Sequence, residues 1–185
     1  MTTATDSPTA TAASLRNLYF VRFGFAIVWA VLLFAAGKSL GPVAIGLLVL
    51  YPLFDVAAAV VDFRSSKTAR PTVGLYLNMA LSLLTAIGLA VAVTSGIPAV
   101  LRVWGVWAIT AGIVQLVVAV RRYRLGGQWA MILSGGISVF AGTGFFLMAG
   151  GPNAMLTSLA GYATLGGIFF LASALRLHRV AKKES

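Results

Sequence analysis

The residues of this sequence best suited to take part in chemistry are two opposite charges inside otherwise apolar segments. Arg22 and Asp55 each interrupt such a segment. By the rise of an α-helix, Arg22 lies about 7 Å and Asp55 about 10 Å inside the apolar region, measured from the same side. A charge within hydrocarbon is costly, so each is a candidate functional site. Their similar depth on consecutive helices predicts an ion pair.

Two amides extend this candidate site. Asn78 precedes Pro98 by the same twenty residues that separate Arg22 from Pro42, and Gln115 falls at a similar depth in a further apolar segment. The expected result is an intramembrane polar layer. Its members are Arg22, Asp55, Asn78 and Gln115. Three interpretations are open: neutralisation of the two charges with amide bonds between helices, a titrating proton- or ion-sensitive Asp55, or unpaired side chains that extend to the interface.

Two further basic residues are candidates for other roles. Arg102 lies about 6 Å inside the opposite end of its helix, where it is expected to reach lipid phosphate or otherwise to plug or gate a pore. His178 lies among basic residues near the C-terminus and is expected to be solvated.

The residues that enzymes and metal sites need are scarce. The chain has no cysteine and one histidine, which excludes disulfides, thiolate ligands and a histidine-built metal site within the apolar segments. No nucleophile stands beside a base, no two acids form a pair, and no glycine-rich loop suits a phosphate. We therefore expect no enzyme, no cofactor and no metal.

The amino-acid composition indicates that the apolar segments face lipid instead of water. Hydrophobic residues make up 59% of the 185 residues and charged residues 10%, whereas a soluble domain has roughly 25% charged residues. About 20 apolar helical residues cross a bilayer, and six such runs occur. They are residues 17–37, 41–62, 73–94, 98–120, 127–149 and 153–175. The predicted fold is an all-α membrane bundle over 16–176, with a disordered tail at 1–15 and a basic tail at 177–185.

The distribution of Lys and Arg predicts orientation. Eleven of these residues lie on the side of the termini, and Lys38 alone lies on the other. The eleven are Arg16, Arg64, Lys67, Arg70, Arg121, Arg122, Arg124, Arg176, Arg179, Lys182 and Lys183. The positive-inside rule places both termini in the cytoplasm. The expected partners are anionic lipid headgroups at that face, and a membrane partner or second copy, rather than nucleic acid.

A weak internal repeat predicts that the six helices form three hairpins. Prolines, aromatics and arginines recur in register. The three sets are Pro42, Pro98 and Pro152; Tyr51, Trp107 and Tyr162; and Arg64, Arg121 and Arg176. Small residues recur at four-residue spacing on the preceding helices, which predicts close helix packing. They are Ala26 and Ala30; Ser82, Ala86 and Ala90; and Ser134, Ser138 and Gly142.

These repeats resemble the HdeD family of acid-resistance membrane proteins over residues 17–180. The matching stretches are WGVWAITAGIVQLVVAVRRYRLGGQWAMILSGGISVFAGTGFF and GYATLGGIFFLASALRLHR. The resemblance rests on an aromatic residue, a Gly-Ile step, a basic helix end and a Trp that opens the next helix. Val56 departs from the family's usual glycine, so the first hairpin is expected to pack less closely.

The resemblance implies six helices in the bacterial inner membrane and an association with stress or acid resistance, without catalytic residues. The first functional hypothesis is thus a non-enzymatic inner-membrane protein that acts through helix packing or a partner. The alternatives are a small transporter or channel with its path at Arg22 and Asp55, and an accessory subunit of a larger membrane complex.

Overall fold

The structure is a computed structural model that describes residues 8–65, 72–121 and 129–183, and all regular elements in these ranges are helical. The helices are α1 (Pro8–Ala36), α2 (Pro42–Ser65), α3 (Thr72–Ala92), α4 (Ile97–Arg121), α5 (Trp129–Ala149) and α6 (Thr157–Lys183). A short 3₁₀ turn, Val93–Ser95, follows α3. Six helices are long and apolar enough to cross a membrane. The protein is therefore an all-α multi-pass membrane bundle, as the composition predicts.

The helix ends differ from the prediction at both termini. Helix α1 begins at Pro8, so residues 8–15, which were expected to be disordered, are helical. Proline suits the first helical position because the amide it lacks has no partner there, and the alanines that follow favour the helix. Helix α6 continues to Lys183 and so includes most of the predicted basic tail.

The repeat of helix-opening prolines holds at two of its three positions. Pro42 begins α2, and Pro98 lies in the first turn of α4. Pro152 instead lies in the turn before α6, which begins at Thr157. The sequence Gly150-Gly151-Pro152-Asn153 is rich in turn-forming residues, and the Gly150 amide donates to the Leu147 carbonyl oxygen at 3.1 Å. This turn delays the start of α6.

The six helices form a ring in chain order, with α6 packed against α1. The most extensive contacts join α4 to α5, α1 to α6 and α2 to α3, and the less extensive ones join α3 to α4, α1 to α2 and α5 to α6. The helix pairs with the most extensive contacts therefore join one predicted hairpin to the next around the ring. The two helices within a predicted hairpin make less extensive contact. The loosest hairpin is α5–α6, and α1–α2 makes slightly less extensive contact than α3–α4. The expectation that Val56 loosens the first hairpin stays a prediction. The internal repeat itself stays a prediction.

Glycines bring α4 and α5 into backbone contact at two levels. A Cβ atom added to Gly105 would lie 2.7 Å from the Gly142 carbonyl oxygen, and one added to Gly112 would lie 2.7 Å from that of Gly135. The two members on each helix are seven residues apart, which is about two helical turns. Only glycine permits this approach, and such contacts are a main source of helix association in lipid.

The other predicted small-residue faces are partly confirmed. Ala26 is 1% exposed, and its Cβ would lie 3.2 Å from a Cβ added to Gly167 on α6. Ser82 and Ala86 are buried in the bundle, but Ala90 is exposed. Eight residues separate Ser82 from Ala90, and at 3.6 residues per turn this rotates the second position by about 80°. Ala90 therefore faces outward.

Aromatic side chains fill the centre of the helix bundle. Trp29 and Trp104 have ring centroids 5.5 Å apart, and Tyr51 and Trp107 pack against the same cluster. The Trp29 indole donates to the Leu47 carbonyl oxygen at 2.6 Å. In the described part of the chain, the buried indole N–H groups of Trp104 and Trp107 have no acceptor. The centre is therefore held mainly by packing.

Candidate functional site

An ion pair joins α1 to α2 inside the bundle. The Arg22 guanidinium donates through Nη2 to Asp55 Oδ1. The side chains of Arg22 and Asp55 are 17% and 11% exposed. Arg22 is in the middle of α1, and Asp55 follows Pro52 by one turn of α2. The two charges thus neutralise each other where water is scarce.

The second oxygen of the Asp55 carboxylate is held by α3. Asp55 Oδ2 accepts from Asn78 Nδ2 at 2.8 Å and from Ser82 Oγ at 2.8 Å. Asn78 and Ser82 are four residues apart, so their side chains project from the same face of α3. Hydrogen bonds to charged groups are the stronger kind in proteins. Asp55 consequently has three donors, one from α1 and two from α3.

Arg22 also contacts α6. Its guanidinium carbon lies 4.3 Å from the centroid of the Phe170 ring, which is the geometry of a cation–π contact. One cluster of five side chains, which we call the Asp55 cluster, therefore connects four helices. Its members are Arg22, Asp55, Asn78, Ser82 and Phe170.

The structure brings together three of the four residues predicted for the polar layer. Arg22, Asp55 and Asn78 meet, whereas Gln115 on α4 has no hydrogen bond to this cluster. Helix α4 makes its most extensive contact with α5, and it meets α1 and α2 through Trp104 and Trp107 instead of Gln115. Ser82 was predicted only as a small packing residue, although its position one turn after Asn78 was a usable signal. Phe170 gave no sequence signal, because it is 148 positions from Arg22.

The other candidate basic residues lie at opposite ends of the bundle. Arg102 is exposed on α4, beside a groove between α3 and α4. His178 Nδ1 accepts a hydrogen bond from Arg16 Nη1 at 3.4 Å. This exposed contact joins the N-terminal half of α1 to the last turns of α6.

The residues of the Asp55 cluster are suited to hold helices together. Within the described residues, no three His, Cys, Asp or Glu side chains group as a metal site would require. The Asp55 carboxylate oxygens both have donors, so the arrangement can hold helices together through charge-assisted hydrogen bonds. Removal of one partner would leave a charge unpaired inside the bundle.

Comparison with known proteins identified no relative of this chain. No protein-family model matches the chain, and no curated protein or solved structure matches it significantly. The resemblance to the HdeD family therefore stays a prediction from the sequence. The identity of the protein as a multi-pass membrane protein rests on its six apolar helices.

Proposed function

We propose that this protein is a non-enzymatic membrane protein of stress or acid resistance that acts through helix packing or a partner. The observation that carries the proposal is the set of hydrogen bonds that the Asp55 carboxylate accepts. This acid accepts from Arg22, Asn78 and Ser82, which belong to two other helices. A proton path usually needs a series of acids or histidines. Asp55 instead has the partners of a side chain that fixes helix positions.

The packing around the cluster supports the same proposal. Two grooves lie between α3 and α4, and neither Arg22 nor Asp55 lines them. On the other side of the ring, the Gly105–Gly142 and Gly112–Gly135 contacts leave no space between α4 and α5. Helices in such contact suit a closed bundle better than an open lumen.

The stress component of the proposal comes from the sequence resemblance to the HdeD family. The positive-inside distribution supports an inner-membrane location with cytoplasmic termini. Together with the packed bundle, these features favour a protein that preserves the membrane or a partner under stress.

A deletion-and-rescue experiment tests this proposal. Deletion of the gene should lower survival or membrane integrity under stress, with acid as the first condition. The wild type should restore survival, and so should the Arg22→Leu/Asp55→Ala double variant, because joint removal of a buried pair is often near neutral. Asp55→Ala alone should rescue poorly because it leaves Arg22 unpaired. Unchanged survival after deletion would contradict the proposal.

The accessory-subunit alternative has one observation in its favour. Exposed apolar residues line the α3–α4 surface, among them Leu84 and Ile113. Purification in a gentle detergent tests it: a protein that co-purifies in stoichiometric amount would favour a subunit role. The transporter alternative is tested by measurements of proton flux through the reconstituted protein.

A further inference from the structure

The outer surface of the ring carries two grooves along one seam. We call the contact line of α3 and α4 the α3–α4 seam. One groove, of about 350 Å³, lies between the start of α3 and the end of α4, with Gly74 and Val118 among its lining residues. The other, of about 340 Å³, lies further along the same helices and includes Leu81 and Val106. Both open on the face that lipid would cover.

Each groove has one arginine and an otherwise almost wholly apolar lining. Arg121 belongs to the first groove and Arg102 to the second, and among residues 8–65, 72–121 and 129–183 no acid lines either one. Along α4, Arg102 and Arg121 are about 28 Å apart by the helical rise. That separation is close to the roughly 30 Å thickness of the hydrocarbon core. The two arginines therefore stand near opposite boundaries of the membrane.

The contact between α3 and α4 leaves space at the two grooves. This contact is less extensive than those of α2 with α3 and of α4 with α5. At Gly74, an added Cβ would meet only Val118, at an ordinary distance of 3.6 Å. The seam thus has room for a chain of methylene groups, in contrast to the backbone contacts between α4 and α5.

We propose that the α3–α4 seam binds anionic phospholipids, one at each end. Each lipid places an acyl chain in a groove and its phosphate against Arg102 or Arg121. Arginine is suited to phosphate because its guanidinium donates two parallel hydrogen bonds. An anionic headgroup fits better than a zwitterionic one, because the seam offers no acid to a headgroup ammonium. This binding is independent of the stress role proposed above.

Native mass spectrometry of the purified full chain tests the proposal. The protein is equilibrated in mixed micelles that contain equal amounts of phosphatidylglycerol and phosphatidylcholine. The wild type should retain phosphatidylglycerol preferentially, one molecule per groove. Arg102→Gln and Arg121→Gln should each weaken phosphatidylglycerol binding about fivefold at one site, which corresponds to roughly 1 kcal/mol per basic residue near an anionic surface.

Matched variants separate the grooves from general charge effects. Lys38→Gln removes an exposed basic residue of the α1–α2 turn that lines neither groove, and it should leave the retention of one lipid per groove unchanged. Val106→Trp fills the second groove and retains Arg102, so it should also lose one lipid. Leu147→Trp, at a 74% exposed position on α5, is its control. Equal retention of the two lipids by the wild type, or equal losses in Arg102→Gln and Lys38→Gln, would overturn the proposal.

Discussion

At the scale of single residues, the unusual feature is a carboxylate with three donors inside an apolar bundle. The sequence predicted the pair of Arg22 and Asp55 from their depth, and it predicted Asn78 from its register. It did not predict Phe170, because a contact between α1 and α6 depends on closure of the ring. Gln115 was assigned to the layer by depth alone, and depth does not specify which way a side chain faces.

The energy of the ion pair can be measured with a double-mutant cycle. Asp55→Ala should lower the free energy of unfolding by roughly 3–5 kcal/mol, which is the cost of an unpaired buried charge in soluble proteins. The Arg22→Leu/Asp55→Ala double variant should lose less than the sum of the single variants. Detergent titration in mixed micelles gives these values, with Lys38→Gln, an exposed charge in the α1–α2 turn, as control. Additive losses would show that the two side chains do not interact.

At the scale of helices, apolar length and turn residues made four of the six helices predictable to within a few residues. The exceptions are α1, whose first two turns were assigned to a tail because their residues are too polar for a membrane span, and α6, which ends eight residues beyond its predicted span. The closest helix pairs were not predictable, because a repeat along the chain does not specify which neighbours make backbone contact. Gly135 shows the difficulty, since nothing in the sequence distinguishes it from Gly136.

These adjacent glycines provide a direct test of the packing. Gly135→Ala should destabilise the protein by about 1–3 kcal/mol, the usual cost of overpacking, because its Cβ would lie 2.9 Å from the Gly112 carbonyl oxygen. Gly136→Ala should be neutral or stabilising by up to about 1 kcal/mol, since nothing lies within 4 Å of its Cβ and alanine favours a helix over glycine.

Thermal unfolding in detergent, followed by circular dichroism, compares the two variants. Gly142→Ala and Gly144→Ala repeat the comparison on the same helix. A Cβ added to Gly142 would lie 2.6 Å from the Gly105 carbonyl oxygen, whereas one added to Gly144 would have nothing within 4 Å. Equal unfolding temperatures within each pair of variants would show that α4 and α5 are not in backbone contact.

At the scale of the whole molecule, the six candidate spans of the described residues and the basic residues between them predict that both ends of the chain are cytoplasmic. Reporter fusions should therefore be cytoplasmic after Ser65, Arg121 and Lys183, and external after Lys38, Gly96 and Gly151. Paired phosphatase and fluorescent-protein fusions measure the two locations. An external location after Arg121 would reverse the predicted topology.

Proton flux through the whole bundle tests the central claim, that Asp55 holds helices together and does not carry protons. The purified protein is reconstituted in vesicles with an internal pH dye, and a pH step is applied across the membrane. The account predicts flux equal to that of protein-free vesicles at every pH, for the wild type and for the Arg22→Leu/Asp55→Ala variant. A robust pH-driven flux in the wild type that disappears in Asp55→Asn, while that variant stays folded, would contradict it.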